Sequence, residues 1–430
     1  MSSYTNWQAG FKRRYGPFIN PLPEENTLTD YSEFIRADWR PGENYNFPVK
    51  TGNEHGQTHN VDGSAFSINQ AIDSTWENAQ LDGAELLFAG NVPYNVIARS
   101  QNGAGPGNAG GAFWKAMDQK VEALMLSGVL YRELDILYGC GTAAAAAANL
   151  GAVSASISGA NLAAPQVVTI TRATWAPGIW NQLKNALVDV YQSDGTTLRE
   201  NNVTVTSLTT PSQNRITLTK VGSTATVAAG DVIVVAGART KSCYGVQAIL
   251  ENTGTLFNIS ASVNASWRAQ TFSAGSATLT RAKIGQFASR MFPYGLTDGG
   301  TLFVSGATFA DLAEEADALV RWTDSNSSGV KRQGDNVIEY RSPIGLIKVA
   351  LHRYMKQSIA PFIANGVLKR VGSTDLAFQL EGTNDKFYLE LPSNAGAQIR
   401  LYSHQAPVIE IPAHCGLITA ISNNGDTSPS

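Results

Sequence analysis

The feature that most constrains this fold is a long amphipathic helix predicted from Gly111 to Tyr138. Its apolar residues recur at three-, four- and seven-residue steps, the period of one helix face. They are Phe113, Met117, Val121, Leu124, Tyr131, Leu134 and Tyr138. At about 1.5 Å per residue such a helix is ~42 Å long, which indicates a flat, elongated subunit. The pattern alone fits a core helix of an α/β enzyme equally well, so the rest of the sequence is needed to distinguish these two interpretations.

The composition favours a protein covered by neighbours. Only 16% of the 430 residues are charged, whereas about 25% is typical of soluble domains. A net charge of −3 argues against a dedicated nucleic-acid binder, which needs clustered lysine and arginine. Cys140, Cys243 and Cys415 are widely spaced, which predicts free, reduced thiols rather than disulfides or a zinc site. No apolar run approaches the ~20 residues of a membrane span.

Two segments ahead of the long helix have distinct patterns. Residues 1 to 46 are rich in aromatic residues and proline, which predicts an extended arm with one short helix near Asp30 to Asp38. The stretch from Phe47 to about Val92 is marked by glycine and carries two short β-like pieces, which predicts a long hairpin loop. Apolar spacing at Phe66 and Trp76 favours order in that loop. Large apolar side chains in an arm or loop are expected to pack against the body of the same chain or against another chain.

Beyond the long helix the chain becomes β-patterned and then mixed. An alanine-rich joint covers 143 to 165, and alternating strands separated by turn residues predict a small β subdomain from 165 to 240, capped by a helix at Pro177 to Ala186. The last third is predicted to be α+β. Its helices are expected at Thr280 to Met291 and Ala307 to Arg321, and its strands at Val337 to Tyr340, Leu346 to Leu351, Phe387 to Leu391 and Pro407 to Ile411.

None of the candidate chemical motifs lies in the sequence context that its chemistry requires. Gly105 to Gly110 spells G-x-G-x-x-G, but no buried strand is predicted before it, so a hinge is favoured over a dinucleotide site. Glu54, His55 and His59 lie among glycines and are interpreted as a solvated loop rather than a metal site. His404, His414 and Cys415 are separated by prolines and are interpreted as buried or rim residues. The sequence predicts no catalytic residue, cofactor or metal.

The order of parts resembles the major capsid protein of tailed double-stranded-DNA bacteriophages. Several short phrases appear in the same order as in that family. They are Glu54-His-Gly, Gly230-Asp-Val-Ile, Leu250-Glu-Asn-Thr-Gly-Thr-Leu-Phe, Ala265-Ser-Trp with Leu279-Thr, Leu302-Phe-Val-Ser with Thr308-Phe, and Ala406-Pro-Val-Ile-Glu-Ile-Pro. The resemblance covers most of the chain and rests on the order of the phrases, since none is diagnostic alone.

The resemblance implies an α+β capsid fold with four parts. Residues 1–46 are expected to be the N-terminal arm and 47–95 the extended loop, which in this family lies across a neighbouring subunit. Residues 96–264 and 401–430 are expected to form the peripheral domain, with the long helix as its spine and the β subdomain as an insertion. Residues 265–400 are expected to form the axial domain, whose tips meet around five-fold and six-fold axes.

The implied function is self-assembly as pentamers and hexamers into an icosahedral shell around double-stranded DNA, with no enzyme activity. The expected subunit-interface residues are Trp7, Phe11, Phe47, Lys50, Phe66 and Trp76. The resemblance further implies a separate scaffolding protein, a portal and weak contact with packaged DNA on the inner wall, and it allows for a decoration or cement protein. The expected location is the virion, assembled in the bacterial cytoplasm, without a membrane partner.

Two other classes stay open from the sequence. A β-rich phage tail or adhesion protein would lack the long helix and the α+β last third. A cytosolic α/β nucleotide-binding enzyme would use the glycine hinge and remain at ordinary oligomer size.

Overall fold

A computed structural model describes residues 27–37, 45–93, 110–141, 149–158, 161–208, 214–320, 337–342, 344–378, 389–390 and 396–424. The helices in these ranges are α1 (Thr27–Tyr31), α2 (Gly110–Tyr138), α3 (Pro177–Gln182), α4 (Val246–Glu251), α5 (Arg281–Met291) and α6 (Gly306–Val320). The strands up to residue 235 are β1 (Glu33–Arg36), β2 (Tyr45–Gly52), β3 (Thr75–Leu81), β4 (Ala84–Pro93), β5 (Gly151–Ser158), β6 (Gln166–Ile170), β7 (Leu187–Tyr191), β8 (Leu198–Leu208), β9 (Arg215–Thr219) and β10 (Val232–Val235).

The later strands are β11 (Thr255–Leu256), β12 (Ile259–Ser260), β13 (Gln270–Ala277), β14 (Gly300–Val304), β15 (Val337–Ser342), β16 (Gly345–Leu351), β17 (Ala360–Ala364), β18 (Leu368–Ala377), β19 (Leu389–Glu390), β20 (Gly396–Ile409) and β21 (Gly416–Ile421). Two large sheets form from them. The first has the order β1-β18-β20-β19 with β4 also on β20, and the second has the order β13-β21-β17-β14-β16-β15.

The long helix is confirmed as α2, called the spine helix from here on. It packs against β4 and β20 of the first sheet. Gly128 lowers the stability of an isolated helix, but it allows this close approach: a Cβ at that position would clash with Cδ2 of Leu401 and lie 3.2 Å from Cδ2 of Leu376. Leu134 and Tyr138 of the predicted stripe are buried, whereas the side chains of Phe113 and Met117 lie outside the described part of the helix.

Residues 151 to 235 contain a closed six-stranded barrel in the order β10-β5-β6-β9-β8-β7. Its interior is filled by alternating β-branched and leucine side chains, including Val168, Val190 and Ile216. The predicted capping helix is present but ends at Gln182, and its Trp180 stacks on Trp175 with ring centroids 6.4 Å apart.

Three sequence-based boundaries differ from the structure. Strand β5 closes the barrel ahead of residue 165, where the sequence placed the start of the subdomain; its alanines and serines have no strong pattern, and pairing with β6 makes it a strand. The short helix expected over Asp30 to Asp38 is wrong in part, because β1 pairs in parallel with β18 instead. Strand β21 pairs with β13 and β17 of the second sheet, rather than with the peripheral-domain strands expected beside it.

Candidate functional site

The base of the extended hairpin rests on the body of its own subunit. Strands β2 and β3 pair with Phe47 opposite Ala79 and Lys50 opposite Trp76. Alternation places Phe47 on the inner face, where its ring lies 6.3 Å from that of Trp267, while Lys50 is exposed. The backbone N–H of Gln80 donates to the carbonyl of Phe257 at 3.0 Å. The strands are therefore fixed, and the loop beyond them projects from a rigid base.

The loop from 53 to 74 and the following strand expose an unusual amount of apolar surface. The most exposed apolar side chains are Val61 (77%), Phe66 (69%), Ile68 (84%), Ile72 (61%) and Trp76 (59%). Five large apolar groups so close in sequence exceed the scattered exposure that is normal for a monomer surface. We call these five residues the loop patch.

Hydrogen bonds give the loop a definite shape. His55 and Ile72 exchange two backbone hydrogen bonds of 2.9 Å, which continue the ladder of the hairpin past its strands. Further out, the backbone N–H of Asn69 donates to Oγ1 of Thr58 at 2.9 Å. The apolar side chains are thus presented by an ordered backbone, so little conformational entropy remains to be lost when they bind.

The loop carries negative charge only. Glu54, Asp62 and Asp73 lie between residues 53 and 74, and the sequence has no lysine or arginine in that stretch. A surface that receives the loop patch should therefore be apolar with a basic rim.

The arm enters the body at a buried carboxylate on the spine helix. Glu133 is 0% exposed, and its Oε1 accepts from the backbone N–H of Leu28 at 2.9 Å while its Oε2 accepts from the backbone N–H of Thr29 at 3.1 Å. Nε2 of His352 lies 2.8 Å from Oε1. Burial alone raises the pKa of the Glu133 carboxyl, but the hydrogen bond and charge of His352, together with the bonds from Thr29 and Leu28, outweigh it and hold the pKa below its ordinary value.

A second contact fixes the segment after α1. Nε of Arg370 donates to Oγ of Ser32 at 2.8 Å, and its guanidinium lies 5.5 Å from the ring centroid of Phe34. Nη1 of Arg370 also donates to Oε1 of Gln405 at 2.9 Å. The end of the arm is therefore an integral strand of the first sheet.

The structure separates the predicted interface residues into three groups. Phe66 and Trp76 are in the loop patch and Lys50 is exposed beside Trp76, whereas Phe47 packs within its own subunit. Trp7 and Phe11 lie outside the described residues, as do positions 105 to 109 of the glycine motif.

The candidate metal and thiol residues are also dispersed. His55 and His59 are exposed on the loop, His404 contacts Ser373 and His414 contacts the carbonyl of Tyr294. Within the described ranges no group of three or more His, Cys, Asp or Glu could hold a metal ion. Cys140, Cys243 and Cys415 are buried free thiols, as the sequence predicts.

Sequence reasoning missed the buried role of Glu133. The signal was present, because Glu133 follows Leu130 by three residues and precedes Leu137 by four, which places it on the same helix face as two leucines that are buried. A carboxylate on an apolar helix face predicts a buried partner, but the partners of Glu133 are distant in sequence.

None of the helices in the described ranges has the length and apolar character needed to cross a membrane.

No protein-family model matches the sequence, and no curated protein is significantly similar to it. Among solved structures, the capsid of cyanophage A-1(L) matches with a TM-score of 0.55 and 10% identity, covering 95% of this chain and 96% of that chain. The capsid of cyanophage Pam1 has a TM-score of 0.45 and 11% identity over 99% of this chain and 100% of that chain. An encapsulin complex from Synechococcus elongatus has a TM-score of 0.43 and 6% identity over 100% and 99%.

The similarity to the cyanophage A-1(L) capsid extends over nearly the whole of both chains. At 10% identity it shows a shared fold, and with it the α+β capsid fold expected from the sequence is confirmed.

Proposed function

We propose that this chain, which has the fold of phage capsid proteins, is a major capsid protein that assembles as pentamers and hexamers into an icosahedral shell around double-stranded DNA. The observation that carries the proposal is the loop patch: an ordered, projecting hairpin whose five apolar side chains are 59% to 84% exposed among the described residues. On a capsid fold, a neighbouring copy is the partner that such a loop requires.

Removal of the loop patch from water supplies the driving force for association. Burial of a large aromatic or aliphatic side chain contributes roughly 1.5 to 3 kcal/mol. Phe66 and Trp76 are the proposed interface residues within the described chain, with Lys50 beside them, and Trp7 and Phe11 of the arm are proposed to add contacts. Phe47 is also kept as a proposed interface residue, and its ring packs beside that of Trp267 within its own subunit.

The proposed domain division keeps the four parts that the resemblance implies. We assign 1–46 to the arm, 47–95 to the extended loop, 96–264 and 401–430 to the peripheral domain with its inserted barrel, and 265–400 to the axial domain. The first sheet lies on the spine helix and the second sheet holds α5 near β13. In this division β21 is the element by which the C-terminal segment crosses to the axial sheet.

The proposed partners are those that the resemblance to phage capsid proteins implies. A separate scaffolding protein and a portal direct assembly in the bacterial cytoplasm, a decoration or cement protein can bind the outer surface, and packaged DNA is contacted weakly because the chain has a net charge of −3. The spine helix and the α+β last third favour a shell protein over a β-rich tail or adhesion protein. The match to a capsid over nearly the full chain favours it over a nucleotide-binding enzyme.

Electron microscopy of the purified chain tests the proposal. Incubation at high concentration, with and without its candidate scaffolding protein, should give closed shells, rings or sheets built from five- and six-fold units. A monodisperse monomer or dimer under every condition would contradict the proposal.

A further inference from the structure

Lys356 is a buried amine in an unusual environment. Its side chain is 1% exposed, and its Nζ lies 4.3 Å from the ring centroid of Tyr138 at the end of the spine helix. The Nζ donates to Oε1 of Gln247 in α4 at 3.0 Å. A buried lysine is ordinarily paired with a carboxylate, whereas this one contacts a neutral carboxamide.

The same carboxamide contacts a carboxyl group on its other side. Nε2 of Gln247 donates to Oε1 of Glu251 at 3.0 Å, one helical turn further along α4. The three side chains therefore lie in the order amine, carboxamide, carboxyl. The carboxamide is held between a nucleophile and a group that can exchange protons with its nitrogen.

Burial shifts the pKa values of the amine and of the carboxyl in the directions that amide exchange requires. It lowers the pKa of the Lys356 ammonium to about 7, so a large fraction is the neutral, nucleophilic amine near neutral pH. Burial also raises the pKa of the Glu251 carboxyl, although Gln247 and the charge of Lys356 act against the rise. Burial therefore favours the uncharged form of both the amine and the carboxyl.

We propose that Lys356 and Gln247 are joined by an intramolecular isopeptide bond that the folded chain forms without an added enzyme. Nζ of the neutral amine attacks Cδ of Gln247 and forms a C–N bond, giving a tetrahedral adduct. Glu251 accepts a proton from the attacking nitrogen and delivers one to Nε2, and the Cδ–Nε2 bond breaks with release of ammonia. One amide replaces another, so the step needs no oxidant, reductant or energy source.

The position of the bond gives it a mechanical consequence. It joins α4, which packs against the spine helix, to the segment between β16 and β17. That segment already contacts Tyr138, whose hydroxyl donates to the carbonyl of Tyr354 at 2.7 Å and accepts from the backbone N–H of Lys356 at 3.2 Å. A covalent link here closes the chain between residues 247 and 356 and restrains unfolding of the strands within that loop.

Mass spectrometry of the denatured full chain tests the proposal. The expected intact mass is lower than the sequence mass by one ammonia molecule, and protease digestion should yield a branched peptide containing Lys356 and Gln247. A chain at full sequence mass with both peptides unlinked overturns the proposal. The bond forms within one chain, so this result is independent of whether shells assemble.

Variants assign the chemistry to the three residues. Glu251→Gln should leave the fold intact by circular dichroism but give the full sequence mass, and Lys356→Arg should do the same with a lower melting temperature. Lys184→Arg, at an exposed lysine, is the matched control and should keep the loss of ammonia. If Glu251→Gln loses ammonia as fast and as completely as the parent chain, the proton-transfer role of Glu251 is overturned.

Discussion

Nε2 of His352 lies 2.8 Å from Oε1 of Glu133, and neither side chain is more than 1% exposed. The same carboxylate accepts the backbone N–H groups of Leu28 and Thr29. One buried group therefore connects the end of the arm, the spine helix and the segment that follows β16. A buried charge without partners is costly, so these three segments should be stable only together.

Glu133→Gln should lower the free energy of unfolding by roughly 3 kcal/mol, because it removes the negative partner of His352 and weakens the acceptor for two backbone N–H groups. Urea denaturation of the two proteins measures the difference. Glu122→Gln, at an exposed position on the same helix, is the control and should change stability little. Equal losses in both variants would argue against the connecting role of Glu133.

Acid should remove the stabilisation contributed by Glu133. The pKa of its carboxyl is lower in the folded state than the ordinary value of 4.5, so the unfolded chain binds the proton more readily. The contribution is fully present above that ordinary value and is lost as pH falls through the lower folded value. The difference in melting temperature between the parent and Glu133→Gln should therefore shrink below the ordinary value. A difference that grows on acidification contradicts this assignment.

Two helical glycines should respond differently to substitution by alanine. At Gly285 in α5 a Cβ meets nothing within 4 Å, so Gly285→Ala should stabilise the protein by about 1 kcal/mol through helix propensity. At Gly128 the same gain is opposed by overpacking against buried Leu401, which costs roughly 1 to 3 kcal/mol. Gly128→Ala should therefore be destabilising or neutral in thermal denaturation. Equal stabilisation by both changes would show that the spine helix is not tightly packed on the first sheet.

Polar substitutions in the loop patch should block assembly without unfolding the subunit. Phe66→Ser combined with Ile68→Ser removes exposed apolar area only, so the melting temperature of the monomer should stay within a few degrees of the parent. Sedimentation velocity should show loss of large assemblies. Val221→Ser, at a side chain that is 96% exposed on the barrel, is the matched control and should assemble normally. Normal assembly of the double variant would remove the loop patch from the interface.

The parts that sequence analysis predicted well are those fixed by local periodicity. The spine helix, α5, α6 and strands such as Val232–Val235 each follow from residues within one turn or one strand. A hairpin was also predicted in this region, but its limbs are Tyr45–Gly52 and Thr75–Leu81, whereas Leu86 to Phe88 lies in β4 and pairs with β20.

The missed features depend on partners far away in the chain. Glu33 to Arg36 becomes a strand only because Lys369 to Gly372 lies alongside it. Gly151 to Ser158 has small side chains with weak preference, and the barrel decides its conformation. Glu133, Gln247 and Lys356 are ordinary polar residues in the sequence, and only the fold shows what each one contacts.

The most direct test of the account is a cryo-electron microscopy reconstruction of particles assembled from this chain. The account predicts an icosahedral shell in which Phe66 and Ile68 of each subunit are buried on a neighbouring copy, with basic side chains of that copy facing Asp62 and Asp73. A shell in which the loop patch stays in solvent, or a particle without five-fold and six-fold units, would contradict it.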